Sequence, residues 1–322
     1  IGVLKSTDGG INWNTTGLNW TVNQGRVIRR LIVNPSNTNI LIAATSNGIY
    51  RTTNGGTAWT QVQTGSFYDA EFKPGDPNTV YATTDQFYKS TDGGATWTQI
   101  TAGVPAANLV NRLAIGVTPA NANYVYILAS LQSNSGFQGM YRSTNSGTNF
   151  TTQSTSPNIM GWDNGGDSGG QGWYDLSIAI SPTNANEVFT GGVNVWRSTD
   201  GGVNWVLNAH WYGGFSKPYV HADIHDLIFV PGSGTTVWVG SDGGIFRTTN
   251  NGTSYTDLSN GLQIGQMYRL GTSATNANLN LTGWQDNGTN RLSSGAWARV
   301  IGGDGMECII DHSNANTMYG EL

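Results

Sequence analysis

Short apolar runs alternate with polar turn residues along the whole chain. RLIV (30–33), LAIGV (113–117), LSIAI (176–180), DLIFV (226–230) and ECII (307–310) each lead into a turn rich in Pro and Asn. The clearest of these turns are NPSNTN (34–39), KPGDPN (73–78), TPANAN (118–123) and SPTNAN (181–186). Weaker copies are VPGSGT (230–235), SATNAN (273–278) and DHSNAN (311–316). A second apolar run follows each turn, as in ILIAAT (40–45), VYATT (80–84), YVYILAS (124–130) and VWVGS (237–241). Runs this short, bounded by Pro, Asn and Gly, predict β-strands joined by hairpins rather than helices.

A second turn family lies between the copies of the first. It reads STDGGINW (6–13), TTNGGTAW (52–59), STDGGATW (90–97), STNSGTNF (143–150), STDGGVNW (198–205) and TTNNGTSY (248–255), with a degraded copy, RLSSGAW, at 291–297. Each repeat unit therefore holds four strands: A, the Pro/Asn turn, B, a loop, C, the Asp/Gly turn, and D. The Pro/Asn turns at positions 35, 74, 119, 182, 231 and 274 are mostly 39–49 residues apart, with one gap of 63. Four-stranded units of ~40–50 residues are the mark of propeller blades. The chain opens on a C–D half-unit (GVLKSTDGGINW) and closes on an A–B half-unit (CIIDHSNANTMYGEL). The expected fold is all-β: a seven-bladed β-propeller with four-stranded antiparallel blades. One blade is closed jointly by the N-terminal and C-terminal strands, which hides the edges an open array would expose. Residues 1–322 form one propeller domain on this reading, the alternative being a fragment of a longer exported array.

Composition narrows the function. Charged residues make up 11% of the chain and only four are lysines, with a formal charge of −5. No basic stripe is available for nucleic acid. No apolar run reaches the ~20 residues needed to span a bilayer, so no membrane insertion is expected. Cys308 stands alone in an apolar strand and reads as a buried small hydrophobe. Few lysines and a surface rich in Thr, Asn and Gly suggest a secreted or cell-surface protein.

The physics of the second turn is local. Asp8, Asp92 and Asp200 can accept backbone N–H bonds within the turn, and Asn54, Asn145 and Asn250 can do so without charge. The exchange of Asp for Asn argues against a charge-dependent role. The closing aromatics (Trp13, Trp59, Trp97, Phe150, Trp205, Tyr255) are expected to pack on the neighbouring sheet. These copies resemble the Asp-box, or BNR, repeat of bacterial exported propellers. That repeat is found in sialidases, family 74 xyloglucan hydrolases and sortilin-type receptors. The resemblance covers nearly the whole chain and implies a sialidase-like propeller whose Asp-box turns sit on the rim opposite any active face.

The search for a site therefore moves to the other rim. Five residues before each proline-equivalent position, the innermost strands carry Arg30, Asp69, Ala114, Ser177, Asp226, Arg269 and Glu307. These are expected to ring the channel, either as a structural ion-pair ring or as part of a site. Leu31, Val33, Leu227 and Phe229 are expected to pack between blades. Carboxylates for acid and base chemistry are Asp175, Asp223, Asp226, Asp304 and Glu307. In HADIHD (221–226), an extended strand would put His221, Asp223 and His225 on one face, a possible set of divalent-metal ligands; mutual hydrogen bonding is the plainer reading. Two insertions, at 153–173 and 208–221, carry aromatics suited to sugar rings. Trp162, Trp173, Tyr174, Trp211 and Tyr212, with Arg112 and Arg269, form the candidate ligand-binding set.

Two function classes follow. One is a module binding a glycan, a polysaccharide or a surface protein, with no cofactor. The other is a glycoside hydrolase working through a carboxylate pair on the same face. The sialidase pattern of three arginines is matched only loosely by Arg29, Arg112 and Arg269, and the Phe-Arg-Ile-Pro stretch is missing from IRRLIV. Family 74 enzymes draw one catalytic Asp from each of two propellers, and this chain carries the repeats of one. Binding is the favoured expectation.

Overall fold

The computed structural model describes residues 2–262 and 265–322. The described residues form β-strands, turns and three single-turn 3-10 segments. Six antiparallel sheets have four strands each, every strand beside its neighbour in the chain. Their innermost strands are Ile28–Val33, Asp69–Lys73, Val110–Val117, Ser177–Ile180, Ile224–Phe229 and Gln266–Thr272. Two further sheets have two strands each: Gly2–Lys5 with Asn14–Asn19, and Cys308–Ile310 with Met318–Gly320. This is the strand complement of seven four-stranded blades, with the C–D and A–B halves of one blade at the two ends of the chain.

The chain divides into two compact units. One comprises Ile1–Ser241 with Phe246–Thr256, and the other Asp242–Ile245 with Asp257–Leu322. In the first unit the core is a series of sheet-to-sheet interfaces. Ile42, Ala44, Ile49, Ala70 and Val80 join the first and second four-stranded sheets. Tyr81, Phe87, Leu113, Ile127 and Phe150 join the second and third. Tyr126, Leu128, Met140, Ile180, Val188 and Trp205 join the third and fourth. Phe189, Val195, Leu227, Phe229 and Val239 join the fourth and fifth. In the second unit Leu279, Leu281, Cys308 and Ile310 pack together, so Cys308 is the buried hydrophobe its strand predicted. Burial pushes its thiol pKa up, which keeps it un-ionised.

The repeated Ser/Thr-x-Asp/Asn turn is closed by its own side chains. At 90–97, Asp92 Oδ1 accepts from the Ala95 and Thr96 amides at 2.9 Å, while Ser90 Oγ accepts from the Gly94 amide at 2.9 Å. Asp200 repeats this with Val203 and Asn204. Asn145 repeats it with Thr148 and Asn149. Asn54 and Asn250 each hold one such amide, those of Ala58 and Ser254. The carboxylate is thus replaceable wherever an amide oxygen can take the same bonds. Gly94 has φ 82, and a Cβ there would run into Ile42 on the sheet before it. The aromatic that closes the turn packs against that preceding sheet, as Trp205 does beside Met140. Trp13 departs from this expectation and is 60% exposed. Leu31 and Val33, expected to pack between blades, are exposed as well.

The two turn families are bonded to each other. Gly55 donates to Asn39 O, Gly93 to Asn78 O, Ser146 to Asn123 O, Gly201 to Asn186 O and Asn251 to Thr235 O, all at 2.8–3.0 Å. Both families therefore occupy one edge of each of these five sheets. The B–C hairpins and the D–A connections, with both long insertions, are left to the opposite edge.

If the turn works through acceptor geometry rather than charge, Asp92→Asn will leave thermal stability nearly unchanged. Asp92→Ala will cost about 1 kcal/mol, measured by urea unfolding.

Candidate functional site

Inner strands of the first five four-stranded sheets line a cavity of about 470 Å³. Pro119, Pro182 and Pro231 lie at the end near the Pro/Asn turns, and Tyr68, Arg112 and His225 lie toward the insertions. The predicted ring residues Arg30, Asp69, Ala114, Ser177 and Asp226 all line it. Arg269 and Glu307 belong to the other unit, where Arg269 Nε lies 3.2 Å from Glu307 Oε2. Asp304, in that unit too, accepts from the Asp286 amide at 2.9 Å.

The middle of the cavity is an unequal charge cluster. Arg30 pairs with Glu71 and brings its Nε within 3.6 Å of Asp69. Asp69 also accepts from the Ile115 amide at 2.8 Å, which ties the second sheet to the third. Burial pushes the Glu71 carboxyl up to about 7 against the pull of Arg30. Asp69 and Asp226 are raised by burial in the same way, again opposed by Arg30. Burial works against the Arg30 charge, but Glu71 and Asp69 outweigh it and hold the guanidinium firmly protonated. Glu71 was not among the sequence candidates. It stands two residues after Asp69 on the same strand, so the period-2 alternation of that strand was the available signal.

Above this cluster sits a layer of cations and aromatics. Arg29 stacks 4.0 Å from the centre of the Tyr68 ring and donates to Ser66 Oγ and Phe67 O. Arg112 lies 5.7 Å from the same ring and donates to Tyr174 O at 2.7 Å. Arg112 thereby fastens the end of the 153–173 insertion to the cavity wall. Tyr174 meets His225 edge-on at 4.8 Å, and Trp173, 63% exposed, lies 5.4 Å from Tyr174.

The carboxylates of Asp175 and Asp223 are brought together at the end of the 153–173 insertion. The Gln171 side-chain amide donates to both. Asp175 is buried, and burial together with the neighbouring Asp223 pushes its carboxyl up to about 8. The expected alternation of His221, Asp223 and His225 on one strand face is interrupted. Asp223 takes a left-handed φ of 62°, and the strand begins only at Ile224. His221 Nδ1 lies 3.2 Å from Ala222 O. Among the described residues these three do not bring ligand atoms within 4.8 Å of one another.

The remaining aromatics form a second group. Trp211 donates its indole N–H to Trp162 O at 3.1 Å, and its ring meets Tyr212 at 4.8 Å. All three rings are solvent-exposed, next to the buried His210.

Comparison with known proteins addresses the fold. The sortilin–Vps10 family model (sortilin, neurotensin receptor 3) matches residues 47–172, less than half of the chain. A search of curated proteins returns no match. Among solved structures, the GH74 xyloglucanase from Xanthomonas campestris is similar over 87% of this chain, with 16% identity and a TM-score of 0.59. The chain spans about half of that enzyme (46%). YCF48 bound to D1 peptide is similar over 90% of this chain and 86% of its own, with 14% identity and a TM-score of 0.52. The extracellular domain of a hybrid two-component system from B. thetaiotaomicron is similar over 94% of this chain and 35% of its own, at 13% identity and a TM-score of 0.51. The chain is a β-propeller. It carries the strands of seven blades and is related in fold to hydrolytic, peptide-bound and extracellular propellers.

The cavity cluster has a measurable pH signature. Glu71 binds its proton more tightly folded than at its ordinary value of 4.5, so its contribution favours folding at low pH and is lost as pH rises to about 7. Stability should fall across that window, and Glu71→Gln should flatten the slope. Arg30→Met should steepen it, costing on the order of 1–2 kcal/mol more at pH 8 than at pH 5. That range is below the ~3–5 of a fully buried pair because Arg30 is partly exposed. Thermal unfolding at a series of pH values reads all three proteins.

Proposed function

We propose that this chain is an exported propeller of the Asp-box type that works as a glycan-binding module, with its site at the channel mouth opposite the repeated turns. The observation that carries this reading is the placement of five exposed aromatics, Trp162, Trp173, Tyr174, Trp211 and Tyr212, on two insertions at the same edge of the sheets. Flat apolar faces beside amide and carboxylate groups suit the alternating apolar and hydroxyl surfaces of sugar rings. Arg112 and the inner-strand carboxylates supply polar contacts on rigid strands below. Action outside the cell is in keeping with the sparse lysines and with the fold's extracellular relatives.

Glycoside hydrolysis is the second reading, favoured by Asp226, which lines the cavity with its carboxyl raised by burial. A hydrolase needs its two carboxyl groups ~5–9.5 Å apart across the scissile bond. Asp175 and Asp223 share one amide donor and interact directly, so they cannot straddle a sugar linkage. A hydrolytic pair would instead draw on Asp226, Asp304 or Glu307. His221, Asp223 and His225 remain the residues proposed for a divalent metal, which would require His221 and Asp223 to reorient.

A glycan array should give binding that falls at least tenfold in Trp173→Ala and in Trp211→Ala. Turnover of a polysaccharide, abolished by Asp226→Asn or Asp304→Asn, would replace the binding reading with the hydrolytic one. Binding to a surface protein with no glycan signal would shift the partner class. Elemental analysis of the purified protein beside His221→Ala decides the metal question: stoichiometric metal lost in the variant supports it, and no metal in either removes it.

A further inference from the structure

One buried side chain joins the two insertions, and nothing in its local sequence announces it. Asn194 lies in the B–C hairpin of the fourth four-stranded sheet and is 1% exposed. Its two Nδ2 hydrogens are shared among three successive carbonyls of the 153–173 insertion, Trp162 O at 2.9 Å and Gly161 O and Asp163 O at 3.3 Å each. Its Oδ1 accepts the Trp211 backbone N–H at 3.0 Å from the other insertion. The amide orientation is dictated by these partners, because carbonyls can face only the donor end and an N–H only the acceptor end. The Trp211 indole then closes the figure by donating to Trp162 O.

We propose that Asn194 is the positioning residue of a second aromatic platform, Trp162–Trp211–Tyr212, which takes an uncharged pyranose polymer. The proposal rests on the glycan-binding reading above and adds the residue that sets the geometry and the class of sugar. Trp162 and Trp211, 49 residues apart in the chain, come from different insertions, and they meet through one amide anchored on a rigid hairpin. Both exposed indoles are thereby held by their backbones, leaving their faces for stacking, a mode that is sequence-tolerant along a polymer and needs no charge. The Asn194 amide is spent on these internal bonds, and the ionisable residue beside Trp162 is the exposed Asp163, whose negative charge would repel a carboxylate or sulfate polymer and leaves hydroxyls as the groups to be matched.

The test is Asn194→Asp, an isosteric change that keeps the acceptor for Trp211 and sets oxygen against three carbonyl oxygens, with Asn194→Ala as its partner. Affinity electrophoresis in hydroxyethylcellulose should show at least a tenfold loss for both. The double variant Asn194→Ala/Trp211→Ala should bind no worse than Trp211→Ala alone, because Asn194 acts through that ring. Hydrogen exchange should speed up at 158–163 and 209–212 and stay unchanged at 90–97. Wild-type affinity in both single variants, or losses that add in the double variant, would overturn the positioning role. Unchanged exchange in both segments would overturn it even if the wild-type protein binds no polysaccharide, an outcome that by itself removes only the glycan reading. Retention of the wild-type protein in a sulfated or carboxylated polysaccharide gel, but not in hydroxyethylcellulose, would overturn the uncharged class.

Discussion

The structure depends on a hydrogen-bonded turn repeated along the chain. A Ser or Thr hydroxyl and an Asp or Asn side chain capture the amides of the next few residues, and the following Gly frees the backbone to reverse. Because this turn is bonded to the Pro/Asn turn of the same sheet, two of the four chain reversals in a blade are fixed at one edge. The aromatic that ends the turn then packs against the preceding sheet, linking each blade to the last. Local turn chemistry, blade packing and the placement of the two insertions at the opposite edge are thus consequences of one motif.

At the opposite edge the constraints relax and the chain spends its polar groups differently. The cavity holds Asp69, Glu71 and Asp226 against Arg30, with Arg29 and Arg112 drawn toward the mouth by Tyr68 and by backbone carbonyls. Burial raises the carboxyls of all three acids against the pull of Arg30, so burial and pairing oppose each other in this cluster. The Asp175–Asp223 contact is the same physics in a loop, two carboxyls sharing one amide donor. Such a pair stabilises the insertion while it holds a proton. It explains how a glycine-rich segment keeps Trp173 and Tyr174 in place without a strand.

The blade count was legible in the sequence because Ser90 and Asp92 make their bonds within eight residues, with Gly94 and Trp97 at fixed places in the same stretch. The polar ring was legible too, since Arg30, Asp69 and Asp226 fall at one offset from the Pro/Asn turns. What escaped were residues whose partners lie on other segments. Glu71 has meaning only through Arg30 on the neighbouring sheet, and Gln171 only through Asp223, 52 residues away. Asn194 sits in a hairpin where Asn is ordinary, and its four bonds all go to insertions. HADIHD misled for the opposite reason: its alternation is regular, but Asp223 adopts a left-handed conformation that breaks the strand pattern.

The central claim is that ligands engage the edge opposite the repeated turns. Carbene footprinting of the protein with and without a bound polysaccharide tests it directly. The account predicts protection of Trp162, Trp173, Tyr174, Trp211 and Tyr212, with no change at Ser90–Trp97 or Ser198–Trp205. Protection centred on those turns, with the five aromatics still fully labelled, would contradict it.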